Sequence, residues 1–475
     1  MKTDLSVLNK VSTYLYMQFM EPLGIADSSV DAAWDYLNER WRPQVIELVR
    51  SLAPRMIRFG GCFSSYYHWE EAVGPMEKRV PILNQEWDTI YSNHVGTREL
   101  CDFCEQIGGA EPLIVVNMES DGRMRWAYPR RGVDRFGTAE EAARWVAYCN
   151  DPDDRLRISH GRKEPYHVNY WEIGNETSYD KSGYGLKDAA KATKEFAKRM
   201  KEIDPNIYLT AWGDDGWAPY MCEEAGEYID AVVFHHHFYS KLPDQPLYGH
   251  EYRKNIENTW HHMLSATESV TERIERRRAE VKPYGKRIGI TEGHFKLSGR
   301  NRCELLSCWM AGAAYAKCFN DIMRASDIVD IATMSDFFGN RWLVNSIIIP
   351  TPVRADTKPY LLPVGQVMRL FGNHVGTEQV ALDVPESLDA VATRTDDTLF
   401  IHIVNLSLSA SVPLRVSIGG KEIADMTVYE IAPDDPTKEI TDMEPNLFDP
   451  IQREIKDGSY YVKPLAVCAV EIPLK

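Results

Sequence analysis

The sequence lacks the features that direct a chain into a membrane or out of the cell. No stretch reaches the roughly 18 consecutive apolar residues of a membrane-spanning helix. The N-terminal segment Met1–Ser6 has no cationic start followed by an apolar run, so no secretory signal is expected. The nine cysteines are odd in number and lack the spacing of a disulfide framework, which is typical of a reducing compartment. These absences predict a cytoplasmic location.

An excess of positive charge is also absent. The chain has 54 lysines and arginines against 70 aspartates and glutamates, which gives a net charge of −16. A surface of this sign repels the phosphates of nucleic acids and of anionic lipids. We therefore expect neither nucleic acid nor a membrane as a partner.

No arrangement of cysteines or histidines predicts a metal site. Cys101 and Cys104 form a CxxC pair, but they lie on the apolar face of a predicted amphipathic helix. His235, His236 and His237 are consecutive in a predicted strand, where neighbouring side chains point to opposite faces and cannot converge on one ion. We expect no metal and no organic cofactor.

A chain of 475 residues is too long for one compact core, so a large domain and a smaller one are expected. Through most of the chain, β-prone runs alternate with helical patterns, which predicts a parallel sheet closed into a (β/α)8 TIM barrel. The eight predicted strands are Tyr14–Met20, Arg55–Phe59, Leu113–Asn117, Val168–Ile173, Ile207–Trp212, Ala231–Phe234, Arg287–Thr291 and Ile328–Met334.

The pattern changes after the predicted helix Pro363–Phe371. Short alternating strands separated by turns predict a C-terminal antiparallel β-sandwich, with Ala432–Asp449 as a long loop within it. We expect an α/β fold in which residues 13–360 form the barrel and residues 1–12 and 361–475 form the sandwich. The clearest sandwich strands are Leu399–Val404, Val412–Ile418 and Leu465–Ile472.

Two β-prone runs end at a glutamate, and these are Glu176 and Glu292. In a parallel barrel the carboxyl ends of the strands carry the catalytic groups. Two carboxyl groups at two such ends can protonate a glycosidic oxygen and attack the sugar carbon. A solvated loop residue is the usual explanation of one such glutamate, but the preceding Asn175 favours catalysis because its amide can bind a sugar hydroxyl. Glu172 lies deeper in the barrel, and we interpret it as a buried, paired structural carboxylate.

A series of motifs extends through the predicted barrel, over about residues 15–340. Together they resemble the α-L-arabinofuranosidases of glycoside hydrolase family 51, and the resemblance fades in the predicted sandwich. The motifs are Phe19–Gly24, Arg58–Phe63, Tyr67–Trp69, Asn93–Thr97, Ala110–Pro112, Val116-Asn117, Glu164–Tyr166 and Tyr170–Glu176.

The resemblance implies a retaining glycosidase with Glu176 as the acid/base and Glu292 as the nucleophile. Retention requires the carboxyl groups about 5–5.5 Å apart and inversion about 6.5–9.5 Å, and we expect the shorter distance. The expected activity is exo-acting release of α-L-arabinofuranosyl units from oligosaccharides, by a monomer or a homo-oligomer. The alternatives are another retaining furanosidase or pyranosidase on the same scaffold and an inactive carbohydrate-binding homologue.

Further residues are expected to contact the substrate. In the family the first-strand glutamate, here Glu21, holds the furanose. Arg58 binds a hydroxyl, keeps Glu292 ionised, or forms an ordinary surface ion pair. Aromatic Trp69, Trp212 and Trp217 either stack on sugar or pack in the core. The remaining predicted substrate-binding residues are Cys62, Asn175, His237, Tyr239 and Asp336.

The end of the sixth predicted strand leaves two registers open. The family has a His-x-Tyr motif there, which His237 and Tyr239 fit, and its tyrosine hydrogen-bonds the nucleophile. Counting from Asp230 favours His235 instead. Near the eighth strand, Asp336 stands where the family usually has an amide, which removes two hydrogen-bond donors. Asp214 is expected to cap or solvate a loop.

Overall fold

The structure is a computed structural model. Leu23 and Gly24, which belong to the first-strand motif, lie outside the described residues. The described residues are 1–22, 29–84, 89–118, 135, 137–181, 185–243, 247, 249, 251–297, 303–354 and 356–474.

Eight parallel strands form a closed barrel, as the alternation of strands and helices predicted. Each strand pairs in parallel with the next along the chain. The barrel closes through a parallel bridge between Tyr14 and Ile331, and the N–H of Met17 donates to the carbonyl of Ala332 at 2.9 Å. The first to eighth barrel strands are Gln18–Met20, Met56–Phe59, Glu111–Val116, Tyr170–Ile173, Tyr208–Trp212, Ala231–Phe238, Arg287–Phe295 and Val329–Ala332.

The chain continues beside the first strand after the barrel is closed. A short strand, Asp336–Gly339, lies parallel to it, with Asp336 opposite Phe19. The strand Asn345–Ile348 then pairs in parallel with Asp336–Gly339. The strand Tyr360–Leu361 pairs in antiparallel orientation with Asn345–Ile348. This extension brings Asp336 to the same end of the barrel as Glu21.

Helices cover the barrel where the periodic patterns predicted them. In Leu186–Ile203 the buried residues recur every three or four positions, which gives one apolar face toward the sheet. Ala139–Asn150 begins after Thr138, whose hydroxyl accepts a hydrogen bond from the N–H of Glu141. None of the described helices has both the length and the apolar character needed to cross a bilayer. The α-helices are Ser29–Ala33, Pro43–Leu52, Thr97–Gln106, Ala139–Asn150, Arg155–Ser159, Leu186–Ile203, Ala218–Ala225, Ile256–Val281, Trp309–Arg324 and Pro363–Asn373.

The C-terminal part forms a seven-stranded antiparallel sheet with its own apolar core. The N-terminal strand Val7–Lys10 pairs with Glu378–Val380 and so belongs to this sheet. The predicted strand Val412–Ile418 is instead divided into Val412–Leu414 and Ser417–Ile418, which pair with different strands. The stacking of these sheets as a sandwich stays a prediction, and so do the domain boundaries. The other strands of the seven-stranded sheet are Asp389–Arg394, Thr398–Val404, Met426–Ile431, Ile451–Ile455 and Val467–Pro473.

The predicted loop Ala432–Asp449 has no helix or strand and lies against the barrel. Its Ile440 N–H donates to the Ser307 carbonyl at 3.0 Å. The Tyr252 hydroxyl donates to Glu439 at 2.6 Å, which adds a side-chain contact to the same junction. The loop therefore joins the C-terminal part to the barrel.

Candidate active site

Glu176 follows the fourth strand and Glu292 lies on the seventh, at the carboxyl end of the barrel. The fourth strand ends at Ile173, and Glu176 follows with a positive φ of 56°, a left-handed conformation that turns the chain out of the strand direction. The seventh strand is four residues longer than predicted and continues to Phe295. It does so because the long sixth strand pairs with it up to that residue.

The imidazole of His235 joins the two glutamates. Its Nδ1 lies 2.9 Å from Oε1 of Glu176 and 3.5 Å from Oε2 of Glu292. A carboxylate oxygen of Glu176 and one of Glu292 lie within 4.8 Å of each other. All three residues are buried, which strengthens the electrostatic interaction between them.

Arg58 of the second strand is fully buried beneath this pair. Its Nη1 donates to Oε1 of Glu292 at 2.9 Å, and its Nη2 donates to Oδ1 of Asn175 at 2.8 Å. Nε and Nη2 also donate to the two carboxylate oxygens of Glu172, at 3.0 and 2.6 Å. Glu172 is therefore the buried paired carboxylate that its depth in the strand suggested. The surface ion pair considered for Arg58 is wrong.

The electrostatics of the pair favour one shared proton. Burial raises the pKa of Glu292 well above its ordinary range, and the negative charges of Glu176, Glu21 and Asp336 raise it further. The guanidinium of Arg58 opposes this shift. Two carboxyl groups this close resist simultaneous ionisation, so one holds a proton while the other is charged.

The sixth strand supplies histidines that stay neutral. Burial lowers the pKa of His235 to about 4, although its hydrogen bond to Glu176 opposes the shift. Burial likewise lowers the pKa of His237 to about 4. At neutral pH these rings therefore contribute hydrogen-bonding atoms and not positive charge.

The register left open at the sixth strand is decided in favour of His235. The ring of His237 contacts His294, with ring centroids 4.4 Å apart. Within the described residues Tyr239 makes no hydrogen bond to Glu292, and it is 54% exposed. The expected bond from Tyr239 to the nucleophile is therefore wrong, because the longer strand carries this residue past the pair.

Glu21 and Cys62 come from the first two strand ends and border the pair. The backbone N–H of Phe63 donates to Oε1 of Glu21 at 3.3 Å. Gly61 has a φ of 110°, and a Cβ atom there would lie 2.4 Å from the Glu21 carboxyl carbon, so glycine is required. Sγ of Cys62 lies 3.8 Å from Oε2 of Glu176. The tight second-strand loop thus brings both side chains to the site.

Asp336 also faces the site, and burial raises its pKa to about 7. When ionised, its negative charge is one of the causes that raise the pKa of Glu292. A protonated Asp336 can donate one hydrogen bond, so part of the donor capacity of the family's amide remains at neutral pH.

Of the three tryptophans considered as stacking platforms, Trp69 and Trp212 are core residues, and Trp217 is partly buried against the core. Trp69 is 2% exposed and stacks on Trp145, with centroids 5.8 Å apart and an interplanar angle of 11°. Trp212 is 1% exposed and lies edge-on to His235. The prediction that Trp69 binds substrate is wrong, because its rings are enclosed by other aromatic side chains.

Sequence reasoning missed an ion pair beside the site. Asp214 is fully buried and accepts hydrogen bonds from Nη2 of Arg273 at 2.5 and 2.6 Å and from the hydroxyl of Tyr179 at 2.5 Å. It was expected to cap or solvate a loop. Its position two residues after the fifth strand was the available signal, because strand ends of a barrel face the site.

Glu176, His235 and Glu292 also form a donor set that a metal ion could occupy. One imidazole nitrogen and two carboxylate oxygens lie within 4.8 Å of one another, and zinc accepts such ligands. The set differs from the three consecutive histidines considered from the sequence. The positive charge of Arg58, which is bound to Glu292, opposes a cation at this position.

Comparisons in sequence relate the chain to arabinofuranosidases. A family model described as Alpha-L-arabinofuranosidase 1 domain matches residues 48–259. The chain is 30% identical over 255 residues to an "Intracellular exo-alpha-(1->5)-L-arabinofuranosidase" of Acetivibrio thermocellus, over 50% of this chain and 47% of the relative. It is 33% identical over 227 residues to a "Probable alpha-L-arabinofuranosidase C" of Aspergillus niger, over 44% and 40% of the two chains. The chain spans about half the length of the curated relatives it matches.

Solved structures share the fold over the whole chain. An alpha-L-arabinofuranosidase of Thermotoga maritima in complex with arabinose matches with a TM-score of 0.81 and 24% identity, over 100% of this chain and 99% of that one. A thermostable GH51 alpha-L-arabinofuranosidase of Thermotoga petrophila RKU-1 matches with a TM-score of 0.81 and 24% identity, over 99% of both chains. These matches confirm the resemblance predicted from the motifs: residues 48–259 match the arabinofuranosidase family model, and the chain shares the fold of a solved structure of glycoside hydrolase family 51.

Proposed function

We propose that this protein is a retaining glycoside hydrolase that releases α-L-arabinofuranosyl units. One observation carries the proposal: oxygens of Glu176 and Glu292 lie within 4.8 Å of each other at the carboxyl end of the barrel. A separation of about 5–5.5 Å between carboxyl groups serves retention, because an inverting enzyme needs room for a water between them. The sugar is inferred from the relatives, which are named arabinofuranosidases.

In the first proposed step Glu292 is the nucleophile. Arg58 donates to its Oε1 and so opposes the rise that burial gives the pKa of Glu292, and the proton that the two carboxyl groups share is assigned to Glu176. The carboxylate attacks the anomeric carbon and forms a carbon–oxygen bond while the bond to the leaving oxygen breaks. Glu176 gives its proton to the leaving oxygen, so the leaving group departs as a neutral alcohol and a glycosyl ester remains on Glu292.

In the second step Glu176 is the base. Its carboxylate takes a proton from water, and the water oxygen attacks the anomeric carbon. The ester bond to Glu292 breaks, which frees the sugar and restores the starting charges. Two displacements at the same carbon return the original configuration.

Neighbouring residues hold the groups that react. His235 contacts both carboxyl groups, so it acts as a positioning residue for the pair. Glu21, Cys62 and Asn175 are proposed to bind the sugar hydroxyls, and Asn175 is oriented for this by Arg58. Asp336 is proposed to join them through its protonated carboxyl group.

The substrates proposed are oligosaccharides, from which arabinofuranosyl units are removed at the chain end. The relative from Acetivibrio thermocellus, which matches half of this chain, is named as an intracellular exo-acting enzyme. Its name supports the proposed removal of units from the chain end and a location inside the cell. The proposed catalytic domain is the barrel of residues 13–360. Residues 1–12 and 361–475 are proposed to form a β-sandwich domain.

The test is turnover of 4-nitrophenyl α-L-arabinofuranoside by the wild type and by Glu292→Ala. We expect the variant to lose turnover while its circular dichroism and melting temperature stay close to those of the wild type. Glu386→Ala, which removes an exposed glutamate, should keep full activity and serves as the matched control. Proton NMR of the first product should give the retained anomer.

Other outcomes identify the alternatives. An inverted product would refute the mechanism. Turnover of an aryl pyranoside, and not of the furanoside, would show that the enzyme acts on a pyranose and not on arabinofuranose. Binding of arabinose without turnover of any aryl glycoside would identify a carbohydrate-binding protein.

A further inference from the structure

A cavity of about 390 Å³ lies beside the catalytic pair. His235, which contacts both glutamates, forms part of its wall, and so does Tyr179, three residues after Glu176. Glu176 protonates the leaving oxygen in the proposed reaction, so the leaving group lies on its side of the sugar. The cavity is therefore in the position of a leaving-group subsite.

The cavity is cationic although the chain has a net charge of −16. Among its described lining residues, Lys241, Arg273 and Lys296 are cations and Glu272 is an acid. Arg273 is held by buried Asp214, and Lys241 pairs with Glu272 at the surface. The Nζ atom of Lys296 has no hydrogen bond or ion pair within the part of the chain that the structure describes. One uncompensated cation therefore faces this space.

An exposed aromatic ring accompanies the cations. Tyr239 lines the cavity and is 54% exposed, although its strand neighbours are buried or half-buried. Aromatic faces of this kind pack against the apolar faces of sugar rings. His237 beside it stays neutral at pH 7 because burial lowers its pKa to about 4, so it does not add to the charge. The wall thus combines a surface for a sugar ring with a charge for an anion.

We propose that this cavity is a leaving-group subsite that selects a sugar bearing a carboxylate, a uronic acid unit, attached to the arabinofuranosyl unit. The inference rests on the proposed function and names the class of substrate that the same site accepts. Lys296 binds the carboxylate by a charge-assisted hydrogen bond, and Lys241 joins it by leaving its exposed partner Glu272. The ring of the uronic acid lies against Tyr239.

The test compares two substrates of equal size, 4-carboxyphenyl and 4-carbamoylphenyl α-L-arabinofuranoside. The quantity measured is the ratio of their kcat/KM values in one enzyme, which cancels any change common to both substrates. We expect this ratio to fall about two- to fivefold in Lys296→Gln, the range that a partly exposed ion pair supports, and further in Lys241→Gln/Lys296→Gln. High salt should lower the wild-type ratio in the same direction.

Lys421→Gln is the matched control, since it removes an exposed lysine from the C-terminal part of the chain. It should leave the ratio unchanged. An equal ratio in wild type and Lys296→Gln would overturn the proposal. A phosphate site would be identified instead by a different result. Inorganic phosphate would then inhibit the turnover of both substrates more than chloride does at the same ionic strength, and the ratio of the two kcat/KM values would be the same in wild type and Lys296→Gln.

Binding separates this proposal from the proposed function. Calorimetry of the two compounds with Glu292→Ala and with Glu292→Ala/Lys296→Gln gives the ratio of their dissociation constants without turnover. A preference for the carboxylate that depends on Lys296 supports the subsite even if the wild type fails to hydrolyse either compound. Absence of that preference, with turnover intact, refutes the subsite alone.

Discussion

Nη1 of Arg58 donates a 2.9 Å hydrogen bond to Oε1 of Glu292, and the arginine is fully buried. The remaining donors of the guanidinium bind Glu172 and Asn175. One side chain of the second strand thus sets the positions of residues from the fourth and seventh strands. Its positive charge also favours the ionised form of the carboxylate that is proposed to attack the sugar.

Arg58→Ala should destabilise the protein and abolish turnover. Removing the guanidinium leaves the carboxylate of Glu172 buried without its partner, which costs about 3–5 kcal/mol. The measurement is the free energy of unfolding in urea together with kcat. Arg162→Ala removes a partly exposed ion pair and should cost less than about 1 kcal/mol. An equally small change in Arg58→Ala would contradict the buried network.

Glu176→Ala should lose more activity on substrates whose leaving group needs a proton to depart. We expect kcat/KM to fall about 10²–10⁴-fold for a sugar leaving group and much less for 4-nitrophenol, which needs no proton to depart. Azide should restore turnover and give the glycosyl azide of retained configuration. If Glu176→Ala and Glu292→Ala lose the same activity on all leaving groups, the two proposed roles are not distinct.

Gly61→Ala should impair the site. A Cβ atom would lie 2.4 Å from the Glu21 carboxyl carbon, and φ is 110°, so Glu21 must move. A displacement of about 1 Å at a substrate contact can cost about 100-fold in kcat/KM. Gly285→Ala is the control, since its φ is 65° but no atom lies within 4 Å. It should lower the melting temperature and keep kcat/KM.

Asp336→Asn should change how stability depends on pH. Burial raises the pKa of Asp336 to about 7 from an ordinary 3.8, so the folded state binds its proton more tightly than the unfolded state. The wild type therefore loses stability as pH rises from about 4 to about 7, by on the order of 2–4 kcal/mol, and stays constant above.

Unfolding free energies of the wild type and Asp336→Asn should agree near pH 4, and the variant should be the more stable at pH 8. Asp425→Asn, at an exposed position, should follow the wild type throughout. Parallel curves for the wild type and Asp336→Asn would mean that Asp336 is ionised across this range.

Zinc should inhibit turnover, and chelation should not. Hydrolysis by two carboxyl groups needs no metal, so treatment with EDTA should leave kcat unchanged. Zinc should compete with substrate for Glu176, His235 and Glu292. The inhibition constant should rise at least about tenfold in His235→Gln. Magnesium, which prefers oxygen ligands and retains water, should inhibit neither protein. Loss of activity in EDTA would contradict the metal-free mechanism.

The barrel could be predicted from patterns of neighbouring residues in the sequence. Five of the eight predicted strands match the observed ones within three residues at each end, because alternating buried strands and amphipathic helices are properties of neighbouring residues. The seventh and the sixth are longer than predicted, since they extend by pairing with each other. The predicted strand Val412–Ile418 is divided because its two parts pair with different distant strands. Val412–Leu414 pairs with Tyr460–Val462, and Ser417–Ile418 pairs with Lys2–Thr3.

The site was predicted only in part. Glu176 and Glu292 were predicted to meet because strand ends of one barrel converge at one face, and their carboxylate oxygens lie within 4.8 Å of each other. Trp69 was assigned to the substrate and is instead packed against Trp145, and composition does not distinguish these environments. Asp214 was expected to cap or solvate a loop, because its partner Arg273 lies 59 residues away along the chain and the pairing cannot be seen in the sequence.

The alternation of strands and helices, the two glutamates at strand ends and the acidic net charge all follow from the order of the amino acids. These properties depend on residue type and short-range periodicity. Three features became apparent once the chain was folded. His235, and not His237, contacts the glutamates, and Arg58 binds three side chains at once. Lys296, a cation without a partner among the described residues, lines a cavity beside them. These contacts form between segments that are distant in sequence and depend on the exclusion of water from the space between them. Neither can be predicted from the properties of neighbouring residues.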